Sequence, residues 1–420
     1  MSHLTPPRLK NDCFALPPGV DWTPVDEALE RLQERLTCVV GQERLELVNA
    51  HGRILAADAI AVRANPPAAN SAVDGYALAH AAIGDGDQVV PLLDGRAAAG
   101  APFSGTVPSG HALRILTGAL VPEGVDTVVL EEDVSTDGAQ IAFEGPIKQG
   151  ANTRRAGEDV QAGDTAVAAH TRLGPAELAL LAATGVTHVS VFKPLRVGIL
   201  STGDELAAPS ETADPARTYD ANRPMLLSLI ADWLMIPVDL GLVSDDRDAL
   251  RSRLNSATAR CDAILTSGGA SAGDEDHVSA LLGETGSRAD WRIALKPGRP
   301  LALGVWKGVP VFGLPGNPVA ALVCTLIFAR PAFGVLGGEG WKTPQSFTVP
   351  AAFEKNKKPG RREYLRARMT PEGTVEVFKS EGSGRISGLA WADGLVELPD
   401  EAIHVTPGTP VKYLPYASFR

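Results

Sequence analysis

Apolar and polar positions alternate along this chain in three successive textures, and each texture predicts a different architecture. Near the start, Val25, Leu29, Leu32 and Leu36 recur at intervals of four, three and four, which is one stripe of an α-helix. Thr23-Pro24 ahead of the stripe supplies a cap followed by a proline at the first helical position, with Asp26 three residues after the cap. From Glu43 to about Val191 the apolar runs shorten, as at Ala112–Leu116 and Thr127–Leu130, and Asp85-Gly86, Asp94-Gly95 and Asp137-Gly138 punctuate them. Short runs between such turns predict a β-rich region, and a helix over 175–184, halted by Gly185, closes it.

Region 195–333 reads as α/β. Strands are predicted at 195–200, 237–243, 262–266, 291–295 and 309–313, with helices at 223–235, 246–257, 276–284 and 318–330 between or after them. Asn317-Pro318 repeats the cap-then-proline signature. Strands alternating with helices of this length predict a mainly parallel sheet. The tail from 345 to 416 has short alternating runs and no helical period, which predicts a small C-terminal β-barrel or sandwich. The expected organisation is a leader over 1–21, an N-terminal helix and β-rich region over 22–192 (two subdomains, a linker and a β-rich lobe), an α/β domain over 195–333 and the barrel over 345–416.

Composition narrows the function classes. Hydrophobic residues make up 44% and charged residues 21% of the 420, the balance of a soluble globular protein. A formal net charge of −11 argues against a life on nucleic acid or an anionic membrane. Cys13, Cys38, Cys261 and Cys324 form no CxxC pair, so neither a thiolate zinc site nor a disulfide framework is expected, and Cys324 reads as a core residue. The first ten residues hold two prolines and no apolar h-region, and no apolar run approaches the roughly 20 residues of a spanning helix. A cytoplasmic soluble protein is expected.

Candidate chemistry gathers where predicted strands end, because ligands of parallel sheets bind beyond the carboxyl edge. Four loops qualify: Ser201-Thr202-Gly203-Asp204-Glu205, Ser267 through Asp276, Lys296-Pro297-Gly298-Arg299-Pro300, and Gly313-Leu314-Pro315-Gly316-Asn317-Pro318. Glycines admit an anion to the backbone, cations neutralise it, and carboxylates can hold a divalent metal. Plainer readings stay open: Asp274 or Asp276 as a helix cap, Lys296 and Arg299 as solvated turn cations, Asp74 as an Asp-Gly turn and Arg154-Arg155 as a solvated face. His277 reads as a helix-start residue, and no Ser-His-Asp arrangement supports hydrolysis.

Nine segments in order carry a wider resemblance: Asn70–Tyr76 (NSAVDGY), Arg114–Pro122, Gly150–Asp159, Ser201–Leu206, Tyr219–Arg223 (YDANR), Thr266–Asp276, Lys296–Pro300, Gly313–Val319 (GLPGNPV) and Arg361–Tyr364 (RREY). From about residue 22 to 416 the chain resembles the molybdopterin molybdenumtransferase family, the bacterial MoeA-type proteins and the E domain of gephyrin-like proteins. The resemblance implies a homodimer of four-domain subunits. It also implies an enzyme that takes adenylylated molybdopterin, from an upstream molybdopterin adenylyltransferase, and molybdate, and with Mg²⁺ forms molybdenum cofactor and AMP.

By motif position it implies catalytic roles for Asp74, Asp159, Glu205 and Asp276, and metal ligands in Glu205, Asp245, Asp274 and Asp276. Substrate contacts would fall to Thr117, Ser267, Gly268, Gly269, Lys296, Arg299, Pro315, Arg361 and Ser383. The chain departs from the family pattern at Arg299, where lysine is usual, at Ala272 for valine and at Ala320 for serine. Arginine offers a planar fork where lysine offers a point charge. The alternatives are a non-catalytic molybdopterin-binding protein or a gephyrin-like scaffold.

Overall fold

A computed structural model describes residues 22–209, 215–268, 277–284, 289–298, 300–380, 382 and 384–420, with the side chains of 289–292 and 300 left aside. The chain divides into two compact units, Gln42–Val191 and the remainder.

In Gln42–Val191 a six-stranded sheet has the order Thr127–Leu130, Gly75–Leu78, Ala112–Ile115, Gly86–Ala97, Gln140–Gly145, Ser135–Thr136. Ala77, Leu113, Ile115 and Val128 pack in one cluster, and Tyr76, Leu78, Ile141 and Phe143 in another, as the period-two alternation of strands requires. Two short antiparallel ladders join Asn70–Ser71 to Thr153–Arg154 and Ala59–Ile60 to Thr165–Val167. The helix Pro175–Ala183 starts where Glu177 accepts a 2.9 Å hydrogen bond from the Gly174 N–H, and Gly185 follows it at φ +79°.

The other unit opens with helix Val25–Arg35, which buries Val25, Ala28 and Leu32. The cap position is Pro24 rather than Thr23, because Thr23 is kept extended by a bridge to Ile293, its carbonyl accepting from the Ala294 N–H at 2.8 Å.

The α/β sheet has the order Ile236–Val243, Arg196–Thr202, Ala263–Ser267, Val309–Leu314, Pro300–Trp306, Ala289–Arg292. Its first four strands are parallel, and the last two pairings are antiparallel, so the sheet is mixed rather than mainly parallel. The cause is a tight hairpin between Trp306 and Val309. Its two turn residues, Lys307 (φ +48°) and Gly308 (φ +85°), both adopt the positive φ of a type I′ turn. The predicted strand at 291–295 is split: Ala289–Arg292 closes this sheet, and Leu295–Lys296 leaves to pair with Arg362-Glu363.

Helix Pro318–Cys324 continues through a π-turn at Thr325–Ala329 into Arg330–Leu336. An 18-residue stretch of it has a mean hydropathy of 2.0, but 94% of that stretch is buried in the fold, where Phe312 and Phe333 meet edge-on at 5.3 Å. That makes it a core helix. Asn317 Oδ1 caps it, accepting from Val319 and Ala320 N–H at 3.1 and 3.3 Å.

The tail forms a sheet with the order Leu295–Lys296, Arg362–Met369, Gly394–Leu398, Pro410–Pro415, Phe347–Pro350, and Val375–Val377 also pairs with Arg362–Met369. This path has two ends, so the predicted closed barrel is an open sheet. A short helix, Ser387–Trp391, stands where the pattern predicted none; five residues are too few for a helical period to show.

Candidate functional site

Three parallel strands, Arg196–Thr202, Ala263–Ser267 and Val309–Leu314, end at one edge of the α/β sheet. Beyond them lies a cavity of about 430 Å³ whose wall includes Thr202, Glu205, Asp220, Asn222, Ser267 and Gly316. Asn222, 5% exposed, donates from Nδ2 to Ser267 Oγ at 2.6 Å and to the Gly316 carbonyl at 2.7 Å. One buried amide thus pins two strand-end loops together. Thr202 Oγ1 and Asn222 Oδ1 are buried with no hydrogen-bond partner among the described residues. Such orphans are costly unless a ligand meets them.

Gly268 follows Ser267 at φ +93°, and its N–H donates to the Leu314 carbonyl at 3.3 Å. A Cβ here would stand 2.5 Å from the Thr202 carbonyl oxygen, so only glycine lets these strand ends approach. Of the predicted acids, Glu205 lines this cavity. Asp245 is interlocked with Asp204: each backbone N–H donates to the other's carboxylate, at 3.1 and 3.3 Å. Among the described residues no three His, Cys, Asp or Glu side chains cluster as a metal site would need. Gly269, Asp274 and Asp276 lie outside the described residues.

A second cavity, of about 750 Å³, opens between the α/β segment and the tail sheet, with Lys296, Pro315, Lys355, Arg361, Arg366 and Lys379 in its lining. Loop residues 315–318 form part of the wall of both cavities: Pro315 and Asn317 line this one, Gly316 and Pro318 the first. The Lys296–Pro297 peptide is cis, and Gly298 follows at φ +106°, where a Cβ would come within 2.9 Å of Cys324 Sγ. Burial pushes the Cys324 thiol up to about 12, which fits the core role expected of it. Lys296 Nζ pairs with Glu363 Oε1 at 3.3 Å, and Arg361 stands 5.9 Å over the Trp22 ring.

Arg366, 5% exposed, donates to the carbonyls of Ser380 at 2.6 Å, Gly382 at 3.3 Å and Arg385, and so ties these three residues to its strand. Ser383 and Arg299 themselves lie outside the described residues. Asn222, Lys355, Glu363 and Arg366 are features that reading the sequence did not single out. Asn222 and Glu363 stand inside the quoted YDANR and RREY segments, which was the available signal.

In the Gln42–Val191 unit, Asp74 and Thr117 come together. Asp74 Oδ1 accepts from both the Thr117 N–H and its hydroxyl, each at 2.6 Å. The Thr117 hydroxyl bond and then its backbone bond hold the Asp74 carboxyl below the usual range. Asp159 Oδ2 accepts from Asn65 Nδ2 at 2.9 Å. The 70–71 and 153–154 strands bring the two motifs side by side, with Arg154 opposite Asn70.

Comparison with known proteins covers almost the whole chain. Residues 23–185 match the family described as MoeA N-terminal region (domain I and II), residues 198–334 the probable molybdopterin binding domain, and residues 348–416 the MoeA C-terminal region (domain IV). The molybdopterin molybdenumtransferase of Haemophilus influenzae is 35% identical over 399 residues, covering 93% of this chain and 98% of that protein. The protein of the same name from Nostoc sp. is 32% identical, covering 89% of this chain and 88% of that protein. The crystal structure of the molybdopterin biosynthesis MoeA protein from Pyrococcus horikoshii OT3 matches with a TM-score of 0.81 at 26% identity, over 94% of this chain and 100% of that one.

Proposed function

The chain belongs to the molybdopterin molybdenumtransferase family, and on that premise we propose that its two neighbouring cavities divide the substrates between them. Its activity is molybdenum transfer in molybdenum cofactor biosynthesis, with molybdopterin and molybdate as reactants. The cavity at the strand ends, lined by hydroxyl, amide and carboxylate groups, takes the adenylylated pterin, and the cationic cavity takes molybdate. The observation that carries this reading is the shared 315–318 wall, with polar atoms unpaired among the described residues on one side and lysine and arginine on the other.

Molybdate is a tetrahedral dianion, so its site needs converging cationic donors. Lys296 and Arg361 supply them, and Arg299 and Ser383 are proposed as further contacts. Ser267, Gly268 and Gly269 are proposed to hold the pterin nucleotide, Ser267 through its hydroxyl, and Pro315 is proposed as a contact from the wall of the molybdate cavity. Asp74, Thr117 and Asp159 are proposed as further substrate-contacting groups on the strength of their motifs.

The Glu205 carboxylate and the Thr202 hydroxyl on one cavity wall are hard oxygen donors that suit Mg²⁺, and Asp245, Asp274 and Asp276 are proposed to complete its ligands. Such an ion, when bound, neutralises charge developing on the phosphate oxygens of the departing AMP. The protein's own contribution is to position the reactants and to supply fixed dipoles and charges. A homodimer, a cytoplasmic setting and delivery of the pterin by an adenylyltransferase belong to the same proposal.

The test is AMP release from adenylylated molybdopterin with and without molybdate. Release should depend on molybdate, and Lys296→Met should raise the half-saturating molybdate concentration about tenfold or more, the worth of one charged hydrogen bond. Release that ignores both molybdate and the substitution would sink the assignment.

A further inference from the structure

Asp74 stands immediately before the strand Gly75–Leu78, which runs antiparallel to both its neighbours. Gly75 therefore faces Ile115 at the end of one neighbour and Leu130 at the end of the other. Both segments that follow grip the residue. Thr117 donates twice to its carboxylate, and the Glu131 N–H donates to its carbonyl at 3.2 Å. Arg114 joins the two grips. It lies three residues before Thr117 and pairs with Tyr76 across the sheet. Its guanidinium covers the Tyr76 ring, 5.0 Å from the centroid, and Nη2 pairs with the Glu131 carboxylate. A closed ring results: Asp74 to Thr117, along the strand back to Arg114, across the ion pair to Glu131, and through its N–H to Asp74 again.

Stability does not account for Arg114. The Glu131 side chain is 50% exposed, and an ion pair so open to water contributes little. Arg114 Nη1 is meanwhile buried with no hydrogen-bond partner among the described residues, which is unfavourable. The ring instead fixes a cation and a second tether beside a carboxylate. The Thr117 hydroxyl and N–H bonds hold the Asp74 carboxyl below the usual range, and the Arg114 charge adds to them.

Resting on the reading that Asp74 contacts substrate, we propose that Arg114 is a positioning residue for Asp74, acting through its ion pair with Glu131.

Molybdate-dependent AMP release tests this in the wild type, Arg114→Met, Arg114→Lys, Asp74→Asn and the double variant Arg114→Met/Asp74→Asn. Arg114→Met should lower kcat/KM about tenfold, and in the Asp74→Asn background the same change should cost under about twofold. An arginine that only supported the fold would add its whole loss to that of Asp74→Asn. Arg114→Lys, which keeps a cation over Tyr76 and beside Glu131, should recover most of the rate. If Arg114→Met does not fold, Glu131→Gln, a change at a half-exposed side chain, is read in the same way. If Asp74→Asn leaves no measurable release, rescue decides: equal loss in Arg114→Met and Arg114→Lys overturns the inference. Wild-type turnover in Arg114→Met, or a loss that adds in full to that of Asp74→Asn, overturns this inference alone. Wild-type turnover in Asp74→Asn overturns the substrate-contacting reading of Asp74 and this inference with it.

Discussion

Gly268→Ala isolates the close approach of strand ends on which the first cavity depends. At φ +93° an alanine is held in a backbone region that L-residues avoid, at about 1–3 kcal/mol. Its Cβ would lie 2.5 Å from the Thr202 carbonyl oxygen and 2.9 Å from Thr202 Oγ1. The nearer contact is backbone inside a parallel strand and cannot swing aside, so overpacking adds roughly 1–3 kcal/mol. Relaxation of the loop relieves part of each, and a net loss of about 2–4 kcal/mol is expected. At ~2–4 °C per kcal/mol for a domain of 150–250 residues, the melting temperature should fall by at least about 4 °C.

Whatever relaxation occurs must move Ser267 and Gly268 away from Thr202, so AMP release should fall as well. Gly316→Ala is the control. Gly316 has no positive φ, and its nearest Cβ neighbour would be Gly268 Cα at 3.8 Å, so stability should stay within roughly 0.5 kcal/mol. Calorimetry and AMP release on both variants decide the matter. A Gly268→Ala protein that melts and turns over like the wild type, or a Gly316→Ala protein that drops equally, would refute the argument.

Three other outcomes are expected. The Arg330 and Glu339 side chains, 5% and 6% exposed, meet at 3.0 Å, so Glu339→Gln strips a buried guanidinium of its counter-charge. Chemical denaturation should show a loss of about 3–5 kcal/mol, and a change under about 1 kcal/mol would contradict the pairing. Arg362 grips Asp26 at 2.6 and 2.8 Å, and this hydrogen bond holds the Asp26 carboxyl below its ordinary 3.8. A depressed carboxylate stabilises the fold fully above the ordinary value and loses that contribution as pH falls through the lower folded one. Asp26→Asn should therefore flatten the stability loss below pH 3.8; because Asp26 is 67% exposed the effect should stay under about 1 kcal/mol, and superimposable acid limbs would exclude it. Finally, Asn222→Ala leaves Ser267 Oγ and the Gly316 carbonyl without their donor. The half-saturating concentration of adenylylated pterin should rise about tenfold while that of molybdate holds; equal shifts in both would point to general loosening instead.

What could be read from the chain was what is local in it. Asn317-Pro318 announced a helix start, and Asn317 does cap two N–H groups there. Residues 195–200, 237–243 and 309–313 gave strands close to those observed, since each carries a dense apolar run bounded by turn residues. The antiparallel hairpin at Lys307-Gly308 escaped because lysine is not a residue that advertises positive φ. The open tail sheet escaped for another reason. Its edge strand, Leu295–Lys296, comes from the α/β segment and pairs with residues 67 positions away, a partnership no local period encodes.

The same distinction sorts the site. Glycine loops and paired cations at strand ends are visible as letters because their chemistry needs those residue types. The groups that hold them in place are not. Lys355 sits near Lys357 and Lys358 and reads as part of a solvated basic run, yet it is nearly buried against Glu363. Lys357, 4% exposed, instead gives its ammonium to the carbonyls of Lys358, Asp400 and Glu401. Lys355 and Lys357, two residues apart on one strand, therefore serve different ends: Lys357 pins a turn and Lys355 lines a cavity. Only the register that sets Glu363 opposite Lys296 tells them apart, and a register shift of one residue would turn Glu363 to the other face of the sheet. The charge of the lysine- and arginine-lined cavity is thus a property of strand pairing as much as of composition, which is how a chain of net charge −11 can concentrate cations at one place.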